Sequence, residues 1–171
     1  MEIRRATADD AKGIAVVHVL GWQTVYRGTM PQAYLDNLDP VQRAEQWAQR
    51  LAAQEWPGSG TLVATSEAGV VGFAGFCPSR DGDADPSVVG EMATLYLLPD
   101  QWRTGLGSRL MSESMAVLQQ AGYREATLWV LDRNDRALRF YEAIGWQPDG
   151  AVKQDDTYGF DLRELRYRRV V

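Results

Sequence analysis

Residues 91–108 read EMATLYLLPDQWRTGLGS, and this stretch decides the fold. Its first eight residues alternate and are rich in β formers, which predicts a strand that Pro99-Asp100 ends. Gly105-Leu106-Gly107 then opens an amphipathic helix that runs to about Ala121. Glycines between a strand and a helix allow several backbone N–H groups to converge on one anion, and the helix dipole adds to the attraction. The stretch therefore predicts a pyrophosphate site, with a tight turn that simply requires glycine as the structural alternative.

Two common phosphate-binding loops do not match this stretch. The dinucleotide fingerprint requires a third small residue at the position of Leu110. The nucleoside-triphosphate loop requires a Gly-Lys-Ser/Thr sequence, which does not occur in the chain. Neither kind of nucleotide site is therefore expected.

A second informative block spans residues 126–146. Residues 126–131 are a continuous apolar strand, and residues 135–144 form an amphipathic helix that Gly145 ends. One face of this helix carries Ala137, Phe140, Tyr141 and Ile144. Taken as structure alone, Asn134 is the helix N-cap and Tyr141 is half-buried packing with a satisfied hydroxyl.

The rest of the pattern indicates one α/β domain over residues 1–171, in the order β-α-α-β-β-β-α-β-α-β-β. The chain shows no internal repeat or long linker. The other predicted elements are a strand at 3–6, a helix ending near 25 and broken by Gly28 and Pro31, a helix at 41–54, a hairpin of 61–65 with 70–76, and a last strand at 160–170.

The composition excludes several classes of protein. Hydrophobic residues make up 45% and charged residues 24%, so neither disorder nor a fibrous repeat is expected. The net charge of −5 argues against a nucleic-acid partner and favours cationic ones. One cysteine, Cys77, and one histidine, His18, supply neither an internal disulfide nor a Cys/His metal cluster. With no apolar run of the ~20 residues that span a membrane and no secretory signal, we expect a cytoplasmic protein without a membrane partner.

The two blocks together resemble the GCN5-related N-acetyltransferase (GNAT) superfamily, in order and spacing, over about residues 90–146. The acetyl-CoA motif of that family, Gln/Arg-x-x-Gly-x-Gly/Ala, falls here on residues 102–107, and Trp102 departs from its usual first residue. The second motif matches Asn134-x-x-Ala137-x-x-Phe140-Tyr141 followed by Gly145, and residues 3–10 and 18–28 also look like this superfamily. The resemblance implies a single-domain GNAT-like fold, with a mixed central sheet of about six or seven strands flanked by helices. It also implies acetyl-CoA as the co-substrate and no metal.

The resemblance further implies which residues hold acetyl-CoA. The phosphates are expected to be held mainly by backbone amides of the loop: Arg103, Thr104, Gly105, Leu106, Gly107 and Ser108. Asn134 is expected to contact the pantetheine arm. A backbone N–H near Leu97 or Leu98 is expected to polarise the thioester carbonyl.

Acetyl transfer to an amine requires the amine to be neutral. A primary amine with a pKa of about 10.4 is neutral in roughly one molecule in a thousand near pH 7.4, a penalty of about 4 kcal/mol. Glu91 is the predicted general base, acting through water, because it stands 14 residues before Gly105, the spacing of the base glutamate in histone-acetylating relatives. The alternative is a strand glutamate that anchors a loop or an arginine. Tyr141 is the predicted hydrogen-bond donor to the departing thiolate, since the resemblance places it near the thioester sulfur.

His18, Trp22 and Tyr26 recur every fourth residue and share one stripe of the first helix. Trp22 and Tyr26 are predicted to bind the acceptor, because aromatic walls attract a cationic amine. An ordinary packing stripe is the alternative.

The expected activity is acetyl-CoA-dependent transfer, without a covalent enzyme intermediate, to the primary amine of a small cationic molecule. Polyamines, amino acid derivatives and aminoglycoside-like compounds are the candidate acceptors. A protein N-terminal or lysine acetyltransferase and a non-catalytic CoA-binding module are the alternatives. The resemblance also allows a homodimer, of which the sequence itself gives no independent sign.

Overall fold

The computed structural model describes residues 1–156 and 158–171, and seven strands of this part form one mixed sheet. The strands are β1 (Glu2–Arg5), β2 (Gly60–Ser66), β3 (Gly69–Pro78), β4 (Val89–Leu97), β5 (Glu125–Leu131), β6 (Gln147–Asp155) and β7 (Leu162–Val170). The helices are α1 (Ala11–Val25), α2 (Gln32–Asp36), α3 (Pro40–Ala52), α4 (Leu106–Gln120) and α5 (Asp135–Ala143). Two short 3-10 turns, Ala8–Asp10 and Pro99–Gln101, precede α1 and α4.

The strands lie in the order β1-β2-β3-β4-β5-β7-β6. Neighbouring strands are antiparallel except β4 and β5, which are parallel. The helical connection that a parallel pair requires is α4. The prediction of a mixed sheet of six or seven strands with flanking helices is confirmed.

β4 and β5 separate part of the way along their length. Their pairing runs from Val89 opposite Glu125 to Glu91 opposite Thr127 and then stops, although β4 continues to Leu97. A bulge in the pairing of β3 with β4, between Gly75 and Phe76, lies next to the point of separation. Bulges bend the strand that carries them. The result is a gap in the middle of the sheet.

The two faces of the sheet pack against different helices. Phe73 of β3 packs in the same cluster as Ile14 of α1 and Trp47 of α3. Its neighbour Ala74 points to the opposite face and packs with Leu110 of α4. We call these the α1/α3 face and the α4 face, and the gap between β4 and β5 connects them.

The structure differs from the sequence prediction at two places. The five-residue helix α2 follows Pro31, where the sequence predicted only a break, because a helix this short has too few turns to show a hydrophobic period. The last strand begins at Leu162 rather than at 160, because Gly159 turns the chain with a φ of 80°. Within the described ranges, no helix has the length and apolar character required to cross a membrane.

Candidate active site

A cavity of about 1130 Å³ occupies the gap between β4 and β5 and reaches both faces of the sheet. Ligand sites usually enclose about 300–1000 Å³. The cavity is therefore large enough for a cofactor arm and a second small molecule together. We call it the central cavity.

The N-terminus of α4 forms the end of the central cavity on the α4 face. Arg103 and Gly105 have left-handed backbones, with φ of 62° and 84°, and they turn the chain sharply into the helix. The first amides of a helix have no partner inside it, so those of Gly107 and Ser108 are available to an anion. Both residues line the central cavity, as do Arg103 and Gly105. This arrangement can bind a pyrophosphate.

The other two predicted phosphate residues have mainly structural positions. The side chain of Leu106 is buried in the core under α4. The Thr104 hydroxyl donates to the Gln101 carbonyl at 2.8 Å and closes the turn. Gly107 allows close packing, because a Cβ there would lie 3.4 Å from the Phe140 ring.

Trp102, the residue that departs from the family motif, links this loop to β4. Its indole Nε1 donates to the Leu97 carbonyl at 3.2 Å. The Arg136 guanidinium carbon lies 3.3 Å from the centre of the indole ring, so the two side chains stack. Burial, together with the charge of Arg103, lowers the pKa of Arg136. Sequence reasoning missed Arg136, although it stands two residues after Asn134 inside the second motif.

Of the two predicted carbonyl-polarising amides, the structure places Leu97 at the gap and excludes Leu98. The Leu98 N–H donates to the Val71 carbonyl of β3 at 2.9 Å, and Leu98 does not line the central cavity. Consecutive amides of a strand point to opposite edges, so the Leu97 N–H faces away from β3 and toward β5. The Leu97 carbonyl points the same way, because it accepts from Trp102. The expectation for Leu98 is therefore corrected.

α5 brings Asn134 and Tyr141 to the wall of the central cavity opposite β4. Asn134 is the N-cap, and its Oδ1 accepts from the Ala137 N–H at 3.2 Å. The half-buried Tyr141 ring packs near Trp146 and Tyr167. Its hydroxyl makes no hydrogen bond with any residue that the structure describes. Burial, and to a smaller extent the neighbouring Tyr96, raises the pKa of Tyr141, so the phenol stays protonated at neutral pH.

Glu91 lines the central cavity but is held by Arg80. One carboxylate oxygen accepts from the Arg80 backbone N–H at 3.2 Å and from its Nε at 3.1 Å, and the other oxygen accepts from the guanidinium. Glu91 is 3% exposed, so this pair supplies the partner that a buried carboxylate requires. The geometry favours the anchoring interpretation, and the role of general base stays a prediction.

Trp22 and Tyr26 line the central cavity on the α1/α3 face and are linked through Tyr96. The Trp22 indole donates to the Tyr96 hydroxyl at 2.8 Å, and the Tyr26 and Tyr96 hydroxyls are 3.3 Å apart. Burial raises the pKa of Tyr26 to about 12. A cation already faces the Trp22 ring, because the guanidinium carbon of Arg43 lies 5.9 Å from its centroid. The two rings are in position to contact an acceptor, which stays a prediction.

His18 and Cys77 also line this end, and neither is prepared for proton transfer or nucleophilic attack. His18 is buried and its Nδ1 accepts from the Trp47 indole at 3.1 Å. Burial, followed by the charges of Arg43 and Arg50, lowers the pKa of His18 to about 3. Burial raises the pKa of Cys77, so its thiolate is disfavoured.

Sequence reasoning also missed two arginines of α3, Arg43 and Arg50, which line the central cavity on either side of Trp47. Their spacing from Trp47, four residues before and three after, puts all three on one face of the helix. From the sequence alone, this spacing could have predicted that the two arginines lie beside Trp47.

Comparisons with known proteins agree with this geometry. A family model described as "Acetyltransferase (GNAT) family" matches residues 22–146. The uncharacterized N-acetyltransferase YuaI of Bacillus subtilis is 32% identical over 169 residues, which cover 98% of this chain and 89% of YuaI. The phosphinothricin N-acetyltransferase of Streptomyces viridochromogenes is 28% identical over 158 residues, which cover 90% of this chain and 78% of that protein. The structure of yncA from Salmonella typhimurium, a putative acetyltransferase with its cofactor acetyl-CoA, superimposes with a TM-score of 0.72 at 20% identity, covering 99% of this chain and 93% of that one.

Proposed function

Because this chain belongs to the GNAT family and is an acetyl-CoA-dependent N-acetyltransferase, we propose that it transfers the acetyl group directly to the primary amine of a small molecule. One observation carries the proposal. The gap between β4 and β5 brings Leu97 of β4 and Tyr141 of α5 to one cavity, which residues at the N-terminus of α4 also line.

The residues of the central cavity fit acetyl-CoA, which supplies the acetyl thioester when bound. The free amides of Gly107 and Ser108, with Arg103 beside them, suit a pyrophosphate. The unpaired edge of β4 offers backbone groups to the amide-bearing arm, and Asn134 faces that arm from the other wall. The stacked pair of Trp102 and Arg136 adds a second cation at the same end.

Two groups of the chain act at the reacting carbonyl. The Leu97 N–H faces the gap and donates to the carbonyl oxygen, where negative charge develops. The Tyr141 hydroxyl donates to the sulfur as it leaves. Because burial raises the pKa of Tyr141, the phenol keeps its proton and stabilises the thiolate through a hydrogen bond rather than by full transfer.

The acceptor enters from the α1/α3 face, because the α4 face is the phosphate end. Aromatic rings of Trp22, Tyr26 and Tyr158 line the cavity there, and the Trp22 ring contacts the other two. A cavity lined by aromatic rings within the sheet suits a small molecule better than a folded protein. One relative is named for phosphinothricin, which belongs among the compounds to be tested.

We propose that Glu91 acts by fixing Arg80 and the start of the loop after β3, and not by taking the proton. The aromatic rings and positive charges of this face favour the neutral amine instead, and the proton that its nitrogen loses on becoming an amide passes to water while CoA leaves as the thiolate. We propose direct transfer, which agrees with the raised pKa of Cys77, the only cysteine of the chain, since burial disfavours its thiolate. The cytoplasmic location and the homodimer stay predictions.

The test is release of CoA thiol from acetyl-CoA with polyamines, aminoglycosides, amino acids, phosphinothricin and short peptides, each product being identified by mass spectrometry. We expect N-acetylated product, equimolar with CoA, from a class of small amines. Product from peptides alone would indicate a protein acetyltransferase. Binding of acetyl-CoA without release of thiol across the whole panel would indicate a binding module.

A further inference from the structure

The central cavity is cationic although the chain as a whole carries a net charge of −5. Of the side chains that the structure describes, six cationic ones line it, against three carboxylates. Two of the cations, Arg103 and Arg136, lie at the phosphate end. The excess of positive charge that remains lies on the α1/α3 face, where the acceptor must bind.

The three carboxylates of the central cavity already have partners. Each ion pair uses a cation of the protein: Asp81 with Arg166 at 3.2 Å, Glu91 with Arg80, and Glu164 with Lys153 at 3.1 Å. Asp81 also accepts from the Trp129 indole at 3.0 Å. None of these acids is available to an additional cation.

Arg43 and Arg50 are the exception to this pairing. Among residues 1–154, 156 and 158–171, neither forms an ion pair with a carboxylate. Their guanidinium groups instead lie against rings, Arg43 over Trp22 at 5.9 Å and Arg50 over Trp47 at 4.7 Å. The rings fix the position of the charges without neutralising them, so the donors of both guanidinium groups remain available.

The positive charges of Arg43 and Arg50 repel each other and also affect Arg80 and His18. Burial, followed by the charges of Arg80 and Arg43, lowers the pKa of Arg50. Burial, and the charges of Arg43 and Arg50, lower the pKa of His18 as well. An anion that accepts hydrogen bonds from both guanidinium groups would offset this repulsion through charge-assisted hydrogen bonds.

This anion is distinct from the phosphates of the cofactor. α3 packs on the same face of the sheet as α1, together with Trp47 and Phe73. The N-terminus of α4 belongs to the opposite face, and the gap lies between them. A group that binds Arg43 and Arg50 therefore approaches from the acceptor side.

We propose that the acceptor carries an anionic group in addition to its amine, and that Arg43 and Arg50 bind this group. The acceptor is then an amino acid or a similar amine-bearing acid, rather than a polyamine or an aminoglycoside. This inference rests on the proposed function for the presence of the amine, but the anion site stands on the charges alone.

The test compares matched compounds in two assays. For each amino acid that is acetylated, its amide and its decarboxylated amine are assayed for transfer, for example leucine, leucinamide and isoamylamine. Binding of all twenty amino acids and of the same amides and amines to the protein saturated with CoA is measured by calorimetry, which requires no turnover. The variants are Arg43→Gln and Arg50→Gln. Arg124→Gln, at an exposed position outside the central cavity, is the matched control.

We expect the acid to exceed its amide by about tenfold or more in kcat/KM and in affinity, as hydrogen bonds to a charged group predict. Each cavity variant lowers this preference about tenfold and leaves the KM for acetyl-CoA unchanged, whereas Arg124→Gln changes neither. Transfer to amines and amides as efficient as to acids, or a preference that survives both variants, would overturn the inference while leaving the proposed function intact. Binding of acids that depends on Arg43 and Arg50, without any transfer, would support the anion site and refute the proposed function. Absence of any preferential binding of acids overturns the inference whatever the activity.

Discussion

The Tyr141→Phe variant isolates the proposed role of the phenol. The Tyr141 hydroxyl has no hydrogen-bond partner in the described part of the chain, and the ring packs near Trp146 and Tyr167. Replacement by phenylalanine therefore removes one oxygen atom and keeps the packing. We expect the free energy of unfolding to change by less than about 0.5 kcal/mol.

The effect on catalysis is expected to be much larger. A hydrogen bond to a charged group contributes about 1.5–3 kcal/mol, and the proposed bond to the departing thiolate forms only as charge develops. The chemical step should slow by about 10- to 150-fold. The KM for acetyl-CoA should stay the same, because the phosphate end is untouched.

Single-turnover release of CoA thiol, with enzyme in excess over acetyl-CoA, measures this step without interference from product release. Tyr123→Phe is the control, because Tyr123 lies outside the central cavity and donates to the Gly58 carbonyl at 3.0 Å. That variant should lose about 1 kcal/mol of stability and none of the rate. A Tyr141→Phe enzyme with the wild-type single-turnover rate would refute the assigned role.

Three further changes test other parts of the site. Burial lowers the pKa of His18 from 6.5 to about 3, so between these pH values the unfolded chain binds a proton that the folded chain does not. Stability therefore falls as the pH drops through that window, by at most about 1.4 kcal/mol per pH unit. In urea unfolding, His18→Gln should lack this contribution to the pH dependence, and parallel profiles for the two proteins would contradict it. Arg80→Gln should lower the free energy of unfolding by about 1–3 kcal/mol, because it leaves the Glu91 carboxylate buried without its partner. Arg80→Gln and Glu91→Gln should reduce kcat by similar factors. A loss of kcat confined to Glu91→Gln would instead identify a general base. Gly105→Ala and Gly69→Ala should each lose about 1 kcal/mol of stability, because both positions have positive φ. Only Gly105→Ala should raise the KM for acetyl-CoA. Equal KM values for the two variants would show that the loop before α4 does not bind the cofactor.

Local sequence signals predicted the parts of the site that depend on local structure. The glycines of residues 105–107 marked the turn into α4, and Asn134 marked the start of α5. Both signals act through the backbone within a few residues, so a single sequence contains them. The same signals positioned Tyr141, because it lies two turns into a helix with a defined start.

Contacts between distant parts of the chain could not be predicted in this way. The sequence allowed Glu91 to anchor an arginine but did not identify Arg80, because the pair depends on the register of β4 against β3 and Arg80 lies in a polar loop without periodicity. Whether the Leu98 N–H donates to the Val71 carbonyl depends on which edge of β4 faces β3. A strand pattern assigns side chains to faces but does not assign amides to edges.

The charge of the central cavity also could not be predicted from the overall composition. The net charge of −5 suggested cationic partners, whereas Arg43 and Arg50 add positive charge to the α1/α3 face of the central cavity. Total charge describes the whole surface, and the charge of a site depends on which residues the fold brings together.

The central claim is direct transfer of the acetyl group to an acceptor amine in the central cavity. The measurement that tests it most directly uses acetyl-CoA with an isotope-labelled acetyl group and an acceptor identified in the panel, with samples quenched during a single turnover. Mass spectrometry then locates the label on the acceptor or on the protein. The account predicts that the label appears on the amine nitrogen of the acceptor and at no time on the protein. Label on Cys77 or another side chain before it reaches the acceptor would contradict it.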